Sequence, residues 1–250
     1  MVSIQDSVVL VTGAASGMGK AMALEFANEG ASVVAVDVDE DGVRDVAAEI
    51  DADSGEAIAA YGDVTDVESV EAVVEAAVDE FGTIDVLINN AGILDDFTPV
   101  GETTIDRWNA VIGVNLDGVF LLTKEALPAL LDGDEEAVVI NTASIAGKVA
   151  GGGGAAYTSS KHGVIGFTKQ LSHDYGPEIR ANAICPGAID TGMTEDLIEA
   201  GEIQEMVDGT PADRYAAPEE VAAVAVFLAS DDASFVHGTA VDVDGGWLVD

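Results

Sequence analysis

Residues 7–19 read S-V-V-L-V-T-G-A-A-S-G-M-G, and this stretch decides the fold. Ser7–Thr12 is rich in β-branched residues and reads as a strand. Glycines follow at 13, 17 and 19, and a helical pattern over about Met18–Glu29 begins among them. Glycine there permits a tight turn and close backbone approach to a diphosphate, which would rest on the N–H groups opening the helix. The spacing departs from the common G-x-G-x-x-G fingerprint. The next apolar run, Ala31–Asp37, ends in an acid 18 positions after Gly19. That is close to the ~20 expected of a carboxylate that binds an adenosine ribose. In so acidic a chain, a solvated loop acid is the competing reading of Asp37.

The alternation continues. Helical periodicity over about Glu40–Ile50, Val67–Phe81, Thr103–Leu131 and Ala155–Tyr175 is interleaved with apolar runs at Ala57–Tyr61, Ile84–Asn89, Ala137–Thr142 and Ile179–Cys185. Helices near Glu195–Val207 and Glu219–Ser230 precede a last strand at Ala240–Val243. Pro128 should bend the long Thr103–Leu131 helix. Continuous Val/Ile-rich strands separated by helices imply a parallel sheet covered on both faces. No linker, low-complexity tract or internal repeat interrupts the pattern, and 250 residues suit one domain, 1–250. The fold expected is therefore α/β, a doubly wound parallel sheet of about seven strands with helices on both faces.

Composition narrows the function classes. There are 47 acidic and 9 basic residues, a formal net charge of -38. Such a field repels nucleic acid and anionic membranes. Disorder does not account for it, because the apolar content is 48% and strongly patterned. A surface adapted to concentrated salt, as in cytoplasmic proteins of extreme halophiles, is the better reading. No apolar run is long enough to span a bilayer, and the N-terminus shows no signal-peptide pattern. A single cysteine, Cys185, excludes an intramolecular disulfide and fits a reducing cytoplasm. His162, His173 and His237 lack metal-ligand spacing, so no metal is expected.

Chemistry enters at Ser144–Lys161, S-I-A-G-K-V-A-G-G-G-G-A-A-Y-T-S-S-K. Ser144 ends an apolar strand, and Tyr157 and Lys161 stand four apart on one helix face. A tyrosine of pKa about 10 is only ~0.1% ionised at pH 7. A lysine ammonium at ~4 Å, with an effective dielectric of ~20, would favour the phenolate by roughly 4 kcal/mol. On this reasoning Lys161 should lower the Tyr157 pKa and make it a general acid/base near neutrality. Taken alone the spacing is weak, because Tyr and Lys meet this way by chance in many helices.

Taken together, these features resemble the short-chain dehydrogenase/reductase family in its single-domain, Rossmann-type form, along essentially the whole chain. The glycine turn (Gly13, Ser16, Gly17, Met18, Gly19) resembles the family's T-G-x-x-x-G-x-G. Asp63 and Val64 resemble its adenine-contacting pair, and Asn89-Asn90-Ala91-Gly92 matches its N-N-A-G. Asn115, Ser144, Tyr157 and Lys161 match its catalytic tetrad. Pro186-Gly187, with Ile189 and Thr191, matches the segment that holds the nicotinamide carboxamide, and Val243–Trp247 resembles its closing strand.

The resemblance implies an NAD(H)-dependent enzyme interconverting a secondary alcohol and a ketone. Tyr157 would move the proton, Ser144 would hold the substrate oxygen, and Lys161 would hold the nicotinamide ribose. Asn115 would position a water linking Lys161 to solvent. It also implies a homotetramer, for which Trp247-Leu248-Val249 could form an interface. Leu94, Ala188 and Met193, placed after matched motifs, are expected to line the substrate pocket with Gly151 and Gly152. Gly151–Gly154 either leaves room for a bulky substrate or is a flexible loop. Residues 190–214 should form a lid. No basic cluster suggests a coenzyme A or acyl-carrier site, which weighs against 3-oxoacyl-thioester reduction. A non-catalytic nucleotide-binding protein is the reading from another class.

Overall fold

The computed structural model describes residues 4–95, 97–133, 135–195, 201, 204 and 207–249. Seven strands form one parallel sheet: β1 (Val8–Thr12), β2 (Ser32–Asp37), β3 (Glu56–Tyr61), β4 (Val86–Asn89), β5 (Ala137–Thr142), β6 (Ile179–Pro186) and β7 (Ala240–Val243). The order is β3-β2-β1-β4-β5-β6-β7. The chain therefore builds outward from β1 to one edge, returns beside β1, and builds outward to the other edge. A switch point of this kind, between β1 and β4, opens a crevice beyond the C-terminal strand ends.

Period-two alternation places successive side chains on opposite faces, and both faces are buried. Val9 and Val11 pack with Met22 and Phe26 of α1 (Gly17–Asn28), Val43 and Ile50 of α2 (Glu40–Ala52), and Val221 and Leu228 of α7 (Pro218–Ala229). Val8 and Leu10 pack with Val70 and Val73 of α3 (Val67–Phe81), Leu122 of α5 (Gly118–Asp132) and Leu171 of α6 (Ala155–Tyr175). Each such fully buried side chain contributes about 1.5–3 kcal/mol relative to exposure. The layered architecture expected from the sequence is present. The two edge strands, β3 and β7, are half exposed, and for β3 this matches its weak apolar run.

Local signals set the boundaries. Asp39 and Asp66 cap α2 and α3 by accepting from Gly42 N and Ser69 N. Gly82, at φ 84°, ends α3 in the left-handed region that glycine tolerates. Arg180 is 2% exposed and spends its guanidinium on Glu136 and on the carbonyls of Leu228, Ala229 and Ser230. A cation on those last carbonyls complements the negative end of the helix dipole at the close of α7.

One helix differs from expectation. The Thr103–Leu131 pattern is realised as α4 (Ile105–Ile112), a π-helical turn at Gly113–Asp117, and α5. Pro128 lies inside α5, which runs on to Asp132, so the irregularity sits at Gly113 rather than at the proline. The helix expected near Glu195–Val207 falls largely outside the described residues, as does part of the expected 190–214 lid.

Candidate active site

The cleft beyond the strand ends has two connected parts. One, of about 350 Å³, lies over β1 and β2. The other, of about 110 Å³, lies over β5 and β6. Met18, Asn90, Gly92, Thr191 and Met193 border both.

The larger part is made mostly of backbone. Gly13 and Gly17 take φ of 68° and 53°, and both line it with Ser16 and Met18. Ser16 leads into α1 without a side-chain capping bond, so the first N–H groups of that helix are not taken up by it. Gly19 does not line the cleft. A Cβ there would lie 2.0 Å from Gly13 O, so it is the glycine that lets α1 start hard against the turn. Asp37 Oδ2 accepts from Ala15 N at 3.1 Å and Oδ1 accepts from Asp39 N at 3.1 Å. The same carboxylate that borders the cleft thus braces the turn, and each oxygen keeps a further lone pair for a ligand. Asp63 and Val64 form the far wall. Uncapped helix N–H groups, positive-φ glycines and an acid at the end of β2 fit a dinucleotide. These residues are the ones able to hold its diphosphate and adenosine ribose.

Asn90 and Thr12 tie the two parts together. Thr12 Oγ1 accepts from the backbone of Asn90 and Ala91 at 3.0 and 3.1 Å. Asn90 Nδ2 donates to Thr12 O, and its Oδ1 accepts from Thr142 Oγ1. Behind them, Asn89 Nδ2 donates to Thr123 Oγ1 and Asn141 Oδ1, and Asn141 Nδ2 donates to Thr168 Oγ1. This buried network crosses β4, β5, α5 and α6 with partners supplied at each step.

Side chains build the smaller part. Ser144 is 8% exposed, and its Oγ accepts from Ala146 N at 3.1 Å at the start of a short 3₁₀ turn, Ile145–Gly147. Lys161 is 4% exposed. Its Nζ donates to Thr142 O at 2.8 Å and sits 5.6 Å from the centre of the Tyr157 ring. Asn115 is fully buried in the π-helical turn, behind the wall rather than on it. Its Oδ1 accepts from Ile93 N at 2.8 Å, and its Nδ2 donates to Ile93 O at 2.9 Å. A Cβ on Gly92 would meet both Asn115 Oδ1, at 3.4 Å, and Lys161 Nζ, at 3.5 Å, so the two heads share one space beside that glycine. Leu94, Gly152, Ala188 and Met193 line the pocket with Pro186, Gly187 and Ile189. Gly151 does not.

The electrostatics correct one expectation. Burial pushes the Tyr157 phenol above its ordinary 10.0; the Ser144 hydrogen bond opposes this, and the Asp95 charge adds to it. Lys161 does not act as the phenol's main charge partner here, because its ammonium is turned to Thr142 O. Burial lowers the lysine itself to about 8. Cys185, near both Ser144 and Lys161, is pushed by burial up to about 11, so it stays a neutral thiol near pH 7. Fully buried, it is a small core residue rather than a nucleophile.

Sequence reasoning missed several site residues. Phe97, Ile145 and Trp247 line the pocket. Trp247 therefore faces the reaction chamber, although its place in an apolar terminus suggested an interface. Asp95 was also missed. It is 5% exposed, and its oxygens accept from Gly154 N at 2.6 Å and Tyr157 N at 3.0 Å. The glycine tract acquires a packing reason. Cβ atoms at Gly153 and Gly154 would fall 2.5 Å from the Tyr157 ring and 2.6 Å from the Asp95 carboxylate.

A nucleotide-type crevice feeding a Ser/Tyr/Lys pocket defines a class, the dinucleotide-dependent oxidoreductases of Rossmann fold. The comparisons narrow it. A family model described as enoyl-(acyl carrier protein) reductase matches residues 13–248. The chain is 39% identical over 249 residues to 3beta-hydroxysteroid dehydrogenase 2 of Eggerthella lenta, covering 98% of this chain and 95% of that protein. It is 42% identical over 243 residues to cyclohexanol dehydrogenase of an Acinetobacter species, covering 97% and 95%. The crystal structure of 3-ketoacyl-(acyl-carrier-protein) reductase from Brucella melitensis with NADH superposes with a TM-score of 0.91 at 35% identity, over 99% and 100% of the chains. A putative gluconate 5-dehydrogenase of Beutenbergia cavernae, solved with NADP at low occupancy, superposes with a TM-score of 0.90 at 39% identity, over 99% of each chain. This chain belongs to the short-chain dehydrogenase/reductase family, and it is an oxidoreductase.

Proposed function

We propose that the protein interconverts a small, neutral secondary alcohol and its ketone with NAD(H), and that Tyr157 exchanges the proton. The observation that carries this reading is the pocket itself. Ser144, Tyr157 and Lys161 face one largely apolar space, and Lys161 is the only ionised residue among the described residues lining it. A substrate carboxylate or phosphate would find no arginine there, and desolvating such a charge unpaired is costly. The lysine ammonium, already bonded to Thr142 O, keeps two donors for the nicotinamide ribose.

The roles follow from the geometry. In reduction, Tyr157 donates its hydroxyl proton to the substrate oxygen. Ser144 uses a lone pair on Ala146 N, which leaves its own proton for that oxygen, where negative charge develops. Desolvation of the phenol keeps the proton on Tyr157 until the substrate oxygen demands it. Asn115 holds the chain at Ile93 and so keeps Gly92 clear beside Lys161. When bound, the nicotinamide supplies or receives the hydride.

The NAD(H) preference rests on Asp37, whose charge would repel a 2′-phosphate, and on Val38 and Ser16, where a base would otherwise welcome one. The alternative reading, 3-oxoacyl-thioester reduction, is supported by the carrier-protein names among the relatives. We further propose a homotetrameric, cytoplasmic enzyme with a salt-adapted surface. No helix among the described residues is long and apolar enough to cross a membrane. NADH consumption in molar salt with cyclic and acyclic ketones, charged oxo acids and 3-oxoacyl thioesters tests the substrate class. Turnover of the neutral ketones is expected. Turnover of the thioesters alone would transfer the protein to the alternative. NADH binding without any turnover would favour a non-catalytic role.

A further inference from the structure

Three successive residues after Asn90-Ala91-Gly92 are each tied to a different element. Ile93 is held by Asn115 of the π-helical turn at both its N–H and its C=O. Leu94 O accepts from Arg107 Nη2 of α4 at 2.5 Å. Asp95 reaches the start of α6, where it accepts from Gly154 N and Tyr157 N. The residue that precedes α6, Gly154, has no side chain and makes no side-chain cap. Asp95 therefore supplies the missing cap from a loop 59 positions earlier in the chain. A carboxylate on the first N–H groups of a helix is favoured by hydrogen bonding and by the helix dipole, which is what allows so buried an acid.

We propose that Asp95 is a positioning residue for the reaction: its carboxylate caps α6 from outside, fixing the place of Tyr157 and the charge its hydroxyl faces. The cap bonds the Tyr157 N–H itself, so ring and acid move together. Gly154 leaves no room for the two to separate on that side, since a Cβ there would strike all three carboxyl atoms at 2.6–2.8 Å. Among the described residues, the charged and titratable groups around the phenol are few. Lys161 lies over the ring from the same helix, Ser144 approaches from the end of β5, the neutral Cys185 thiol lies on β6, and Asp95 comes from the loop after β4. His162 is turned away, with Nδ1 on Thr158 O at 2.9 Å. Burial already disfavours the phenolate, and the fixed negative charge of Asp95 adds to it, so Asp95 raises further the alkalinity at which Tyr157 can act as a base.

The inference rests on Tyr157 as the proton carrier, and the experiment separates the two. Alcohol oxidation is followed against pH for the parent, Asp95→Asn, Asp95→Ala, Gly154→Ala and Tyr157→Phe, with NADH binding measured alongside. With Asp95 neutralised, the rising limb should move to lower pH by roughly one unit. The limiting rate should fall about tenfold as the ring loses its anchor, with NADH affinity retained. Gly154→Ala keeps the acid but displaces it, and should move the limb the same way. A limb at the parent's pH in the variants that bind NADH would overturn the proposal. Should both Asp95 variants lose NADH binding, Gly154→Ala decides alone, and its loss of NADH binding too would overturn the proposal, since Asp95 would then be structural. Parent-like turnover by Tyr157→Phe would instead overturn the proposed function beneath it.

Discussion

The two parts of the cleft are built by different means. Over β1 and β2 the walls are backbone: positive-φ glycines, helix N–H groups, and one carboxylate that also braces the turn. Over β5 and β6 the reacting side chains come from a strand end and a helix, and a π-helical turn and a loop brace them from behind through hydrogen bonds. A backbone site fails when atoms collide, and a side-chain site fails when one group is lost. The first should be broken by adding a methyl, the second by removing an oxygen.

The largest effect expected follows from that contrast. Gly19→Ala would put a Cβ 2.0 Å from Gly13 O, where only backbone could yield. Isothermal titration should then find no NADH binding at concentrations that saturate the parent, with turnover lost in consequence. Tyr157→Phe keeps the ring and should cost at least ~100-fold in kcat, the usual worth of a positioned general acid/base, with NADH binding intact. If both variants lost binding and turnover alike, the two parts would not be separable. A smaller change is expected from Asp37→Ala. The ratio of kcat/KM for NADH over NADPH should fall roughly tenfold, about 1.4 kcal/mol. Native kinetics already favouring NADPH would refute the preference. The mildest effect is that of salt. Screening shortens the Debye length from about 10 Å at 0.1 M to about 3 Å at 1 M. Raising KCl from roughly 0.1 to 2 M should therefore raise the melting temperature and tighten NADH binding severalfold, since a diphosphate approaches a chain of net charge -38. Flat values for both would show that the acidity is not a salt adaptation.

The same contrast governs what could be read from the sequence. Gly13, Gly17 and Gly19 announced the nucleotide end because backbone geometry restricts the residue type at each position. The strands were legible because both faces of β1, β2, β4 and β5 are buried, so each is a continuous apolar run with polar residues confined to its ends. Ser144, Tyr157 and Lys161 were legible as a motif, but their electrostatics were not. Spacing puts Lys161 on the tyrosine's face of the helix, whereas only the fold turns its ammonium to Thr142 O. Asp95 left no signal, because one acid among 47 gains meaning only when β4 brings it to the end of α6. Trp247 was read by its neighbours in an apolar tail, and the fold sends it inward. The π-helical turn was hidden because a surplus residue leaves the local hydrophobic pattern helical on both sides.

That turn also fixes how this chain can change length. Gly118 N–H bonds to Gly113 O, five residues back, so one residue more than an α-helix needs is folded into the ladder. Each residue of an α-helix turns the chain by ~100°. Deleting any one of 113–117 would restore a regular ladder and rotate α4 against α5 by that angle. Either Asn115 would leave Ile93, or Arg107 would leave the carbonyl of Leu94. The long helix therefore carries a phase as well as a length, and a redesign that trims it by a single residue would dismantle the loop behind the pocket without touching a residue that lines it.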